Sequence, residues 1–334
     1  MRIATYNVEW FNTLFDDSGA LVFDDTWSSR WNVTKAMQIE ALGLVFAAMN
    51  ADAVMVIEAP DTSPTRNART ALTNFAEAFD LRTKAILTGF ANDTQQEIAL
   101  MYDPFVMEAR HDPQATADVP RFDHAFPMDV DIDAKPEEIV WSKPPLEVAV
   151  TTPDGALRLI GVHAKSKAPH GAANAKEATR ISIENRRKQL AQCVWLRRRV
   201  SQHLDDGDDL IVLGDFNDGP GLDEYEKLFG RSGVEIVLGE GAQKRLYDPH
   251  ADLALSRRLG PTPTTARFKR KGSPFLEVLL DYIMVSPGLR AKAPEWHIWH
   301  PYNHPDCYNA PDLQKALLTA SDHFPVILDI DLAN

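Results

Sequence analysis

The chain has 334 residues, 44% of them hydrophobic and 25% charged, the balance of an ordinary globular protein with room for one large domain or two small ones. Its formal net charge of −13 excludes a uniformly basic surface of the kind that binds nucleic acid without specificity, but leaves room for a local basic strip or a small phosphorylated ligand. Two cysteines, Cys193 and Cys307, exclude a disulfide framework and a thiolate zinc site, and no stretch approaches the roughly 20 apolar residues of a membrane span.

In chain order, the first run, "RIATYNV", reads as a strand from residue 2 onward, and its Asn7 and Glu9 come too early for the apolar region of a signal peptide. The expected location is the cytoplasm, with no membrane insertion and a monomeric state. Ile39, Leu42, Phe46 and Met49 follow at spacings that put them on one helix face. Further strand-like runs are "AVMVIE" (53–58), "EIALMY" (97–102), "LEVAVTT" (146–152), "LRLIGVH" (157–163), "DLIVLGD" (209–215), "LEVLLDYIMVS" (276–286) and "FPVILDI" (324–330). Ile183, Leu190, Val194 and Trp195 suggest a second helix, with Arg180, Arg186, Arg187 and Lys188 on or near its other faces. The Pro-, Asp- and charge-rich region 103–145 reads as a long loop or insertion. With no internal repeat and no Gly/Ser linker, the pattern predicts an α+β fold with two β-sheets flanked by helices, in a single domain over residues 1–334.

The stretch "IVLGDFNDGP" (211–220) runs from an apolar strand directly into Asp215, Asn217 and Asp218. Alone it is a solvated turn or a catalytic loop at a strand end. The other strand ends tip the balance. The first run ends in Asn7 and Glu9, the second in Glu58, the fifth in His163, Lys165, Ser166 and Lys167, and "SDHFP" supplies Ser321, Asp322 and His323 before the last strand. So many polar strand ends point to one assembled site. Asp281, flanked by apolar residues in "LLDYIMV", is costly to bury unless paired. A histidine is a good partner, and a structural salt bridge is the alternative.

Asn7, Glu58, Asp215, Asn217 and Asp322 offer oxygen donors and no thiolate, which suits Mg²⁺, Mn²⁺ or Ca²⁺ better than zinc. His163 and His323 remain for proton transfer or for hydrogen bonds to an anion. A carboxylate-held divalent cation with a His–Asp pair and amides is what phosphoryl chemistry requires.

The ordered series "TYNVEWF", "VIEAP", "GVHAKSK", "LGDFND", "LLDYIMV" and "SDHFPV" closely resembles the endonuclease/exonuclease/phosphatase superfamily. Its members include pancreatic-type DNases, exonuclease III-like repair nucleases, neutral sphingomyelinases and inositol-polyphosphate 5-phosphatases. The resemblance runs from residue 2 to about residue 330 and implies a DNase I-like, four-layer αββα sandwich. It implies that Glu58 is the main metal carboxylate, with Asn7 close to metal and phosphate and Asp322 near the metal. It implies that Asp215 and Asn217 align the attacking water and contact the phosphate, and that buried Asp281 orients His323. His163 stands where the DNase and sphingomyelinase branches have histidine and exonuclease III-like enzymes have tyrosine. Glu9 replaces an aspartate of many repair members, leaving it a direct metal ligand or a residue that holds one. "HAKSK" and "WSKPPLEV" (141–148) resemble segments of a bacterial nuclease-like branch. Lys165 and Ser166 would then touch substrate phosphate, with a solvated loop as the alternative for Lys165 and Lys167.

The reading that results is a divalent-metal-dependent phosphodiesterase, foremost a nuclease acting on DNA or RNA. The rivals are a phosphomonoesterase or phospholipase acting on an inositol phosphate, a nucleotide or a lipid headgroup, and an inactive binding module. Retention of Glu58, His163, Asp215, Asn217, Asp281 and His323 argues against the last. Substrate choice is expected from residues 11–34, 103–145, 167–179 and 240–275. Within these, "ARFKRKG" (266–272) reads first as a solvated charged face. "FDDTWSSRWN" (23–32) reads first as a loop anchored by Trp27 and Trp31, and second as a stacking or phosphate-contacting element.

Overall fold

The computed structural model describes residues 1–128, 137–169, 171–219, 230–241, 244–256, 262–269, 272 and 274–333. Strands β1 (Arg2–Asn7), β2 (Ala53–Ala59), β3 (Ala85–Thr88), β4 (Glu97–Tyr102), β14 (Glu295–Ile298) and β15 (Val326–Asp329) form a six-stranded sheet in the order β14-β15-β1-β2-β4-β3. Strands β5 (Glu108–His111), β8 (Leu146–Thr152), β9 (Gly155–His163), β10 (Leu210–Asp215) and β13 (Asp281–Val285) form a five-stranded sheet in the order β13-β10-β9-β8-β5. Two hairpin ribbons stand apart, β6 (Phe126–Met128) with β7 (Glu137–Ile139) and β11 (Ala266–Phe268) with β12 (Leu276–Val278).

The strands read as apolar runs because both faces of each sheet are covered. Ile3, Met55, Ile57 and Leu100 of the first sheet meet Val148, Leu159, Ile211, Leu213 and Ile283 of the second in one core. The alternate residues Ala4, Tyr6, Val54 and Val56 turn outward to helices α1 (Lys35–Met49) and α2 (Ala68–Ala78). Ile39, Leu42, Phe46 and Met49 of α1 are all buried there, as their spacing predicts. On the far side, Ile160, Val162, Val212 and Met284 carry Trp195, Leu196 and Val200 of helix α3 (Ala175–Asp206). The result is a helix–sheet–sheet–helix stack, the αββα architecture. Among the described residues no helix is long and apolar enough to cross a membrane.

Topology gathers the polar strand ends. β1 and β2 run parallel, as do β9 and β10, so Asn7, Glu58, His163 and Asp215 all leave the carboxyl ends of central strands. β13 and β15 run antiparallel to their neighbours and so contribute residues at or before their first positions, Asp281 and His323. Asp215 is in register with both His163 and Asp281. Gly214, one residue earlier, has φ 137°, and a Cβ there would lie 2.0 Å from the Val162 carbonyl oxygen. Only glycine fits at that approach.

Three expectations are corrected. Region 103–145 is not all loop: it supplies β5, which pairs with β8, and the β6–β7 ribbon, although residues 129–136 lie outside the described residues. β5 is a short edge strand with alternating exposed and half-buried residues, so it shows no apolar run. Residues 276–286 form two strands, because Leu276–Val278 pair with β11 while Asp281–Val285 join the main sheet. Hydropathy does not mark the break, since Leu279 and Leu280 are buried too.

The third correction concerns Arg186, which belongs to the interior of α3. Its guanidinium is 1% exposed and lies 2.6 Å from the fully buried Asp218 carboxylate, which also accepts from Lys167 Nζ at 2.7 Å and from the Gly233 backbone N–H. This network ties α3 to the turn after β10. Replacing Arg186 by methionine keeps most of the volume but strands part of the Asp218 charge in the interior. Arg186→Met is expected to lower stability by about 3 kcal/mol, measured as a reduced urea midpoint, and an unchanged midpoint would show that Lys167 alone satisfies Asp218.

Candidate active site

The strand ends line a cleft of about 880 Å³ whose walls include Asn7, Glu9, Glu58, His163, Asp215, Asn217, Asp322 and His323. Glu58 enters through a register shift between Ile57 and Ala59 of β2, with a left-handed φ of 61°. The bulge re-aims its side chain into the cleft. There Oε2 accepts from Gln96 Nε2 at 2.6 Å and from the Trp10 backbone N–H at 3.3 Å. Asn217 likewise has φ 49°, a strained conformation that asparagine tolerates better than most residues.

Asp215 sits at the centre, 1% exposed. Its Oδ2 accepts from Asn7 Nδ2 at 3.0 Å and Asn217 Nδ2 at 3.1 Å, and its Oδ1 accepts from the Asn217 backbone N–H at 2.7 Å. Burial and then the neighbouring Asp281 push its carboxyl up to about 7. Asp281 Oδ2 lies 2.8 Å from His323 Nδ1, and one side-chain atom from each of Asp215, Asp281 and His323 falls within 4.8 Å of the others.

The two imidazoles are driven in opposite directions. Burial disfavours charge on His323, but Asp281, Asp215 and Asp322 hold its pKa well above 6.5. Burial lowers that of His163 well below 6.5, helped by Lys143 and His323. Lys143 Nζ lies 3.2 Å from both His163 ring nitrogens, and burial lowers its own pKa. Further carboxylates lie close by, with Glu58 Oε1 3.9 Å from His163 Nε2. Glu9 is pushed up to about 7 by burial and then by Asp322, against the pull of Arg30, its ion-pair partner. Burial also raises Glu58.

Every sequence-predicted site residue borders this cleft or supports a residue that does. Lys165 and Ser166 line it, whereas Lys167 also holds Asp218. The segment before α1 differs from expectation: Trp27 is 66% and Trp31 77% exposed, so neither anchors it. Arg30, paired with Glu9, and buried Ser28 and Val33 hold it instead. Of "ARFKRKG", Arg270 and Lys271 lie outside the described residues.

Sequence reasoning did not single out Lys143 or Gln96 for the site. Each precedes an antiparallel strand, β8 or β4, and so reaches the same edge from a strand start. Ser321 was noted only as part of "SDHFP". It is 1% exposed; its Oγ donates to the Asn7 carbonyl at 2.8 Å and accepts from the backbone N–H groups of His323 at 3.1 Å and Glu9 at 3.3 Å.

The donor set fits a hard divalent cation. The Asn7 Oδ1 acceptor is buried without a hydrogen-bond partner, and Glu9 is raised by burial and then by the neighbouring Asp322, as Glu58 is by burial. A cation among oxygen donors would relieve both conditions.

A model of the endonuclease/exonuclease/phosphatase family matches residues 4–323. Among solved structures, truncated Caenorhabditis elegans TDP2 superposes with a TM-score of 0.52 at 12% identity, over 98% of this chain and 96% of that chain. An endonuclease/exonuclease/phosphatase family protein from Leptotrichia buccalis gives 0.51 at 13%, over 99% of each. The 3′ phosphatase NExo from Neisseria, bound to a product DNA hairpin, gives 0.50 at 16%, over 99% of each. At these identities the likeness is one of fold. No curated protein matches the sequence.

Because one hydroxyl holds three backbone groups and joins the end of β1 to the segment of His323, Ser321→Ala is expected to cost about 2 kcal/mol through the backbone groups it leaves unpaired. Ser321→Thr, which keeps the hydroxyl, should recover much of that loss. Denaturant titration of the two variants checks this, and equal stability of both with wild type would remove Ser321 as a tie.

Proposed function

The chain belongs to the endonuclease/exonuclease/phosphatase family, and from that premise we propose that it is a divalent-metal-dependent phosphodiesterase, foremost a nuclease, acting as one catalytic domain over residues 1–334. The observation that carries this reading is the gathering, in one cleft, of Asn7, Glu9, Glu58, Asp215, Asp322 and two histidines of opposite charge tendency. Glu58, Asp322, Glu9 and Asn7 Oδ1 would hold the cation, Mg²⁺ or Mn²⁺ being the best match, with Ca²⁺ as a further candidate. When bound, it supplies positive charge against the phosphate oxygens.

The chain's own groups then divide the work. Asp215, clamped by the Asn7 and Asn217 amides, orients the attacking water and takes its proton, for which a pKa near neutrality is well matched. His323, kept cationic and oriented by Asp281, donates to a phosphate oxygen as negative charge grows. His163 remains neutral and offers a hydrogen bond without competing for the cation. Asn217, Lys143, Lys165 and Ser166, which line the same cleft, would hold non-bridging oxygens. His163 and the "HAKSK" tract favour a diester over a monoester by their likeness to the nuclease-like branch.

A substrate panel with Mg²⁺ or Mn²⁺ tests the class: single- and double-stranded DNA, RNA, bis(p-nitrophenyl) phosphate and p-nitrophenyl phosphate. Turnover of the diesters is expected. Good hydrolysis of p-nitrophenyl phosphate or inositol phosphates with every diester inert would replace the reading with a phosphomonoesterase.

Chelation by EDTA should abolish turnover, and added Mg²⁺ or Mn²⁺ should restore it and raise the thermal midpoint by a few degrees, as a ligand selective for the folded state does. Glu58→Gln should shrink that thermal shift. A full shift in the variant would remove Glu58 from the ligand set.

Asp215→Asn, nearly isosteric, should leave the thermal midpoint close to wild type while lowering kcat on the order of 10²–10⁴. The Asp281→Asn and His323→Ala changes should be non-additive, the double variant costing little more than the worse single one. Near-normal kcat in folded Asp215→Asn would reduce the segment to a turn.

A further inference from the structure

Beside the catalytic cleft lies a second one of about 470 Å³, and the two share Glu9, Phe268 and Asp322 as a common wall. Its far side is built from residues the mechanism does not use. Lys269 Nζ sits 4.1 Å from the ring centroid of Trp31. Arg267 lies 3.6 Å from the centroid of Phe275 and 5.5 Å from that of Tyr302. Trp31 is 77% exposed, and Phe275 and Tyr302 nearly half exposed. Aromatic rings and cations therefore alternate along an open surface of a chain whose net charge is −13. Arg267 is partly matched by Glu277 at 3.0 Å, whereas Lys269 has no carboxylate at ion-pair distance among the described residues.

The ribbon that carries this surface is fastened to the catalytic segment. Arg267 N–H donates to the Asp322 carbonyl and Phe324 N–H to the Thr265 carbonyl, both at 2.7 Å. The Phe268 ring packs edge-on against His323 at a centroid separation of 5.6 Å. The register of the cations and rings relative to the reacting phosphate is thus set by the strand that holds His323.

Resting on the phosphodiesterase reading, we infer that this second cleft is a subsite for an unpaired nucleobase flanking the scissile phosphate, and that the substrate class is a single-stranded polynucleotide. Exposed aromatic faces stack bases of any sequence, and interleaved cations follow the backbone phosphates. In a duplex the bases are already stacked on one another and cannot use the Trp31 face. The acidic remainder of the surface opposes binding elsewhere, which confines the polynucleotide to this strip.

The test compares Trp31→Ala and Trp31→Phe with wild type, in Mg²⁺ or Mn²⁺, on oligodeoxythymidine, oligouridine, duplex DNA and bis(p-nitrophenyl) phosphate. Trp31→Ala should raise KM for the single strands roughly tenfold, the size of one lost base stack, with kcat little changed. Trp31→Phe should retain most of the affinity. The small diester, too short to reach Trp31, should be unaffected, and any activity on duplex should change less than twofold. If wild type cleaves bis(p-nitrophenyl) phosphate but Trp31→Ala leaves single-strand KM unchanged, or shifts single strand and duplex equally, the subsite is overturned and the phosphodiesterase reading stands. If wild type cleaves no diester, the phosphodiesterase reading falls and the subsite falls with it.

Discussion

Like charge gathered at one edge of a well-packed sandwich is the constraint on which the rest depends. Glu9, Glu58 and Asp322 line one cleft at which Asp215 and Asp281 are buried, and a buried carboxylate left unpaired there would cost several kcal/mol. The fold answers with fixed donors. The amides of Asn7 and Asn217 face Asp215, Gln96 and the Trp10 N–H face Glu58, Arg30 faces Glu9, and the His323 imidazole faces Asp281. These donors do not remove the burden, since Glu9 and Asp215 are still pushed up to about 7. The remaining repulsion among the carboxylates is what a divalent cation would relieve.

The same constraint explains why two histidines in one cleft behave differently. His323 is hydrogen-bonded to Asp281 among carboxylates, whereas His163, although Asp215 and Glu58 lie 3.8 and 3.9 Å from its Nε2, is dominated by its burial and then by Lys143. Environments that push titratable groups apart divide donor and acceptor roles at one pH. Nothing in the residue type distinguishes the two; the balance of burial and neighbouring charge does.

Rigidity at this edge comes from the layers behind it. Glu58 and Asn217 are both left-handed, and such conformations persist only where surrounding structure over-determines them. Here β2 is paired on both sides, and Asn217 is held by Gln189, which donates to the carbonyls of Phe216 and Asn217. Behind that turn stands the buried Arg186–Asp218 pair. The β11–β12 ribbon extends the arrangement outward, so that an exposed aromatic surface is mounted on the segment that holds His323.

The long apolar strands were legible in the sequence because burial on both faces leaves continuous hydrophobic runs, and α1 because Ile39, Leu42, Phe46 and Met49 repeat at helical spacing. The gathering of the candidate site residues was legible as well, since carboxylates, amides and histidines recur at the ends of apolar strands that the fold brings to one edge. Edge strand β5 and the break at Leu279–Leu280 were not, because neither leaves a contrast in hydropathy. Lys143, Gln96 and Ser321 took on meaning only through strand direction and hydrogen bonding across distant segments. Arg186 looks in the sequence like a surface charge, and its partner Asp218 is 32 residues away. Trp31 looks like an anchor until the fold leaves it in solvent beside Lys269. By itself the sequence determined which residues could carry the chemistry and which strands would be buried, since both follow from side-chain type and local pattern. Only the tertiary structure decided which charges face one another, because pairing energies and pKa shifts depend on distance and burial, and neither is a property of any one stretch of chain.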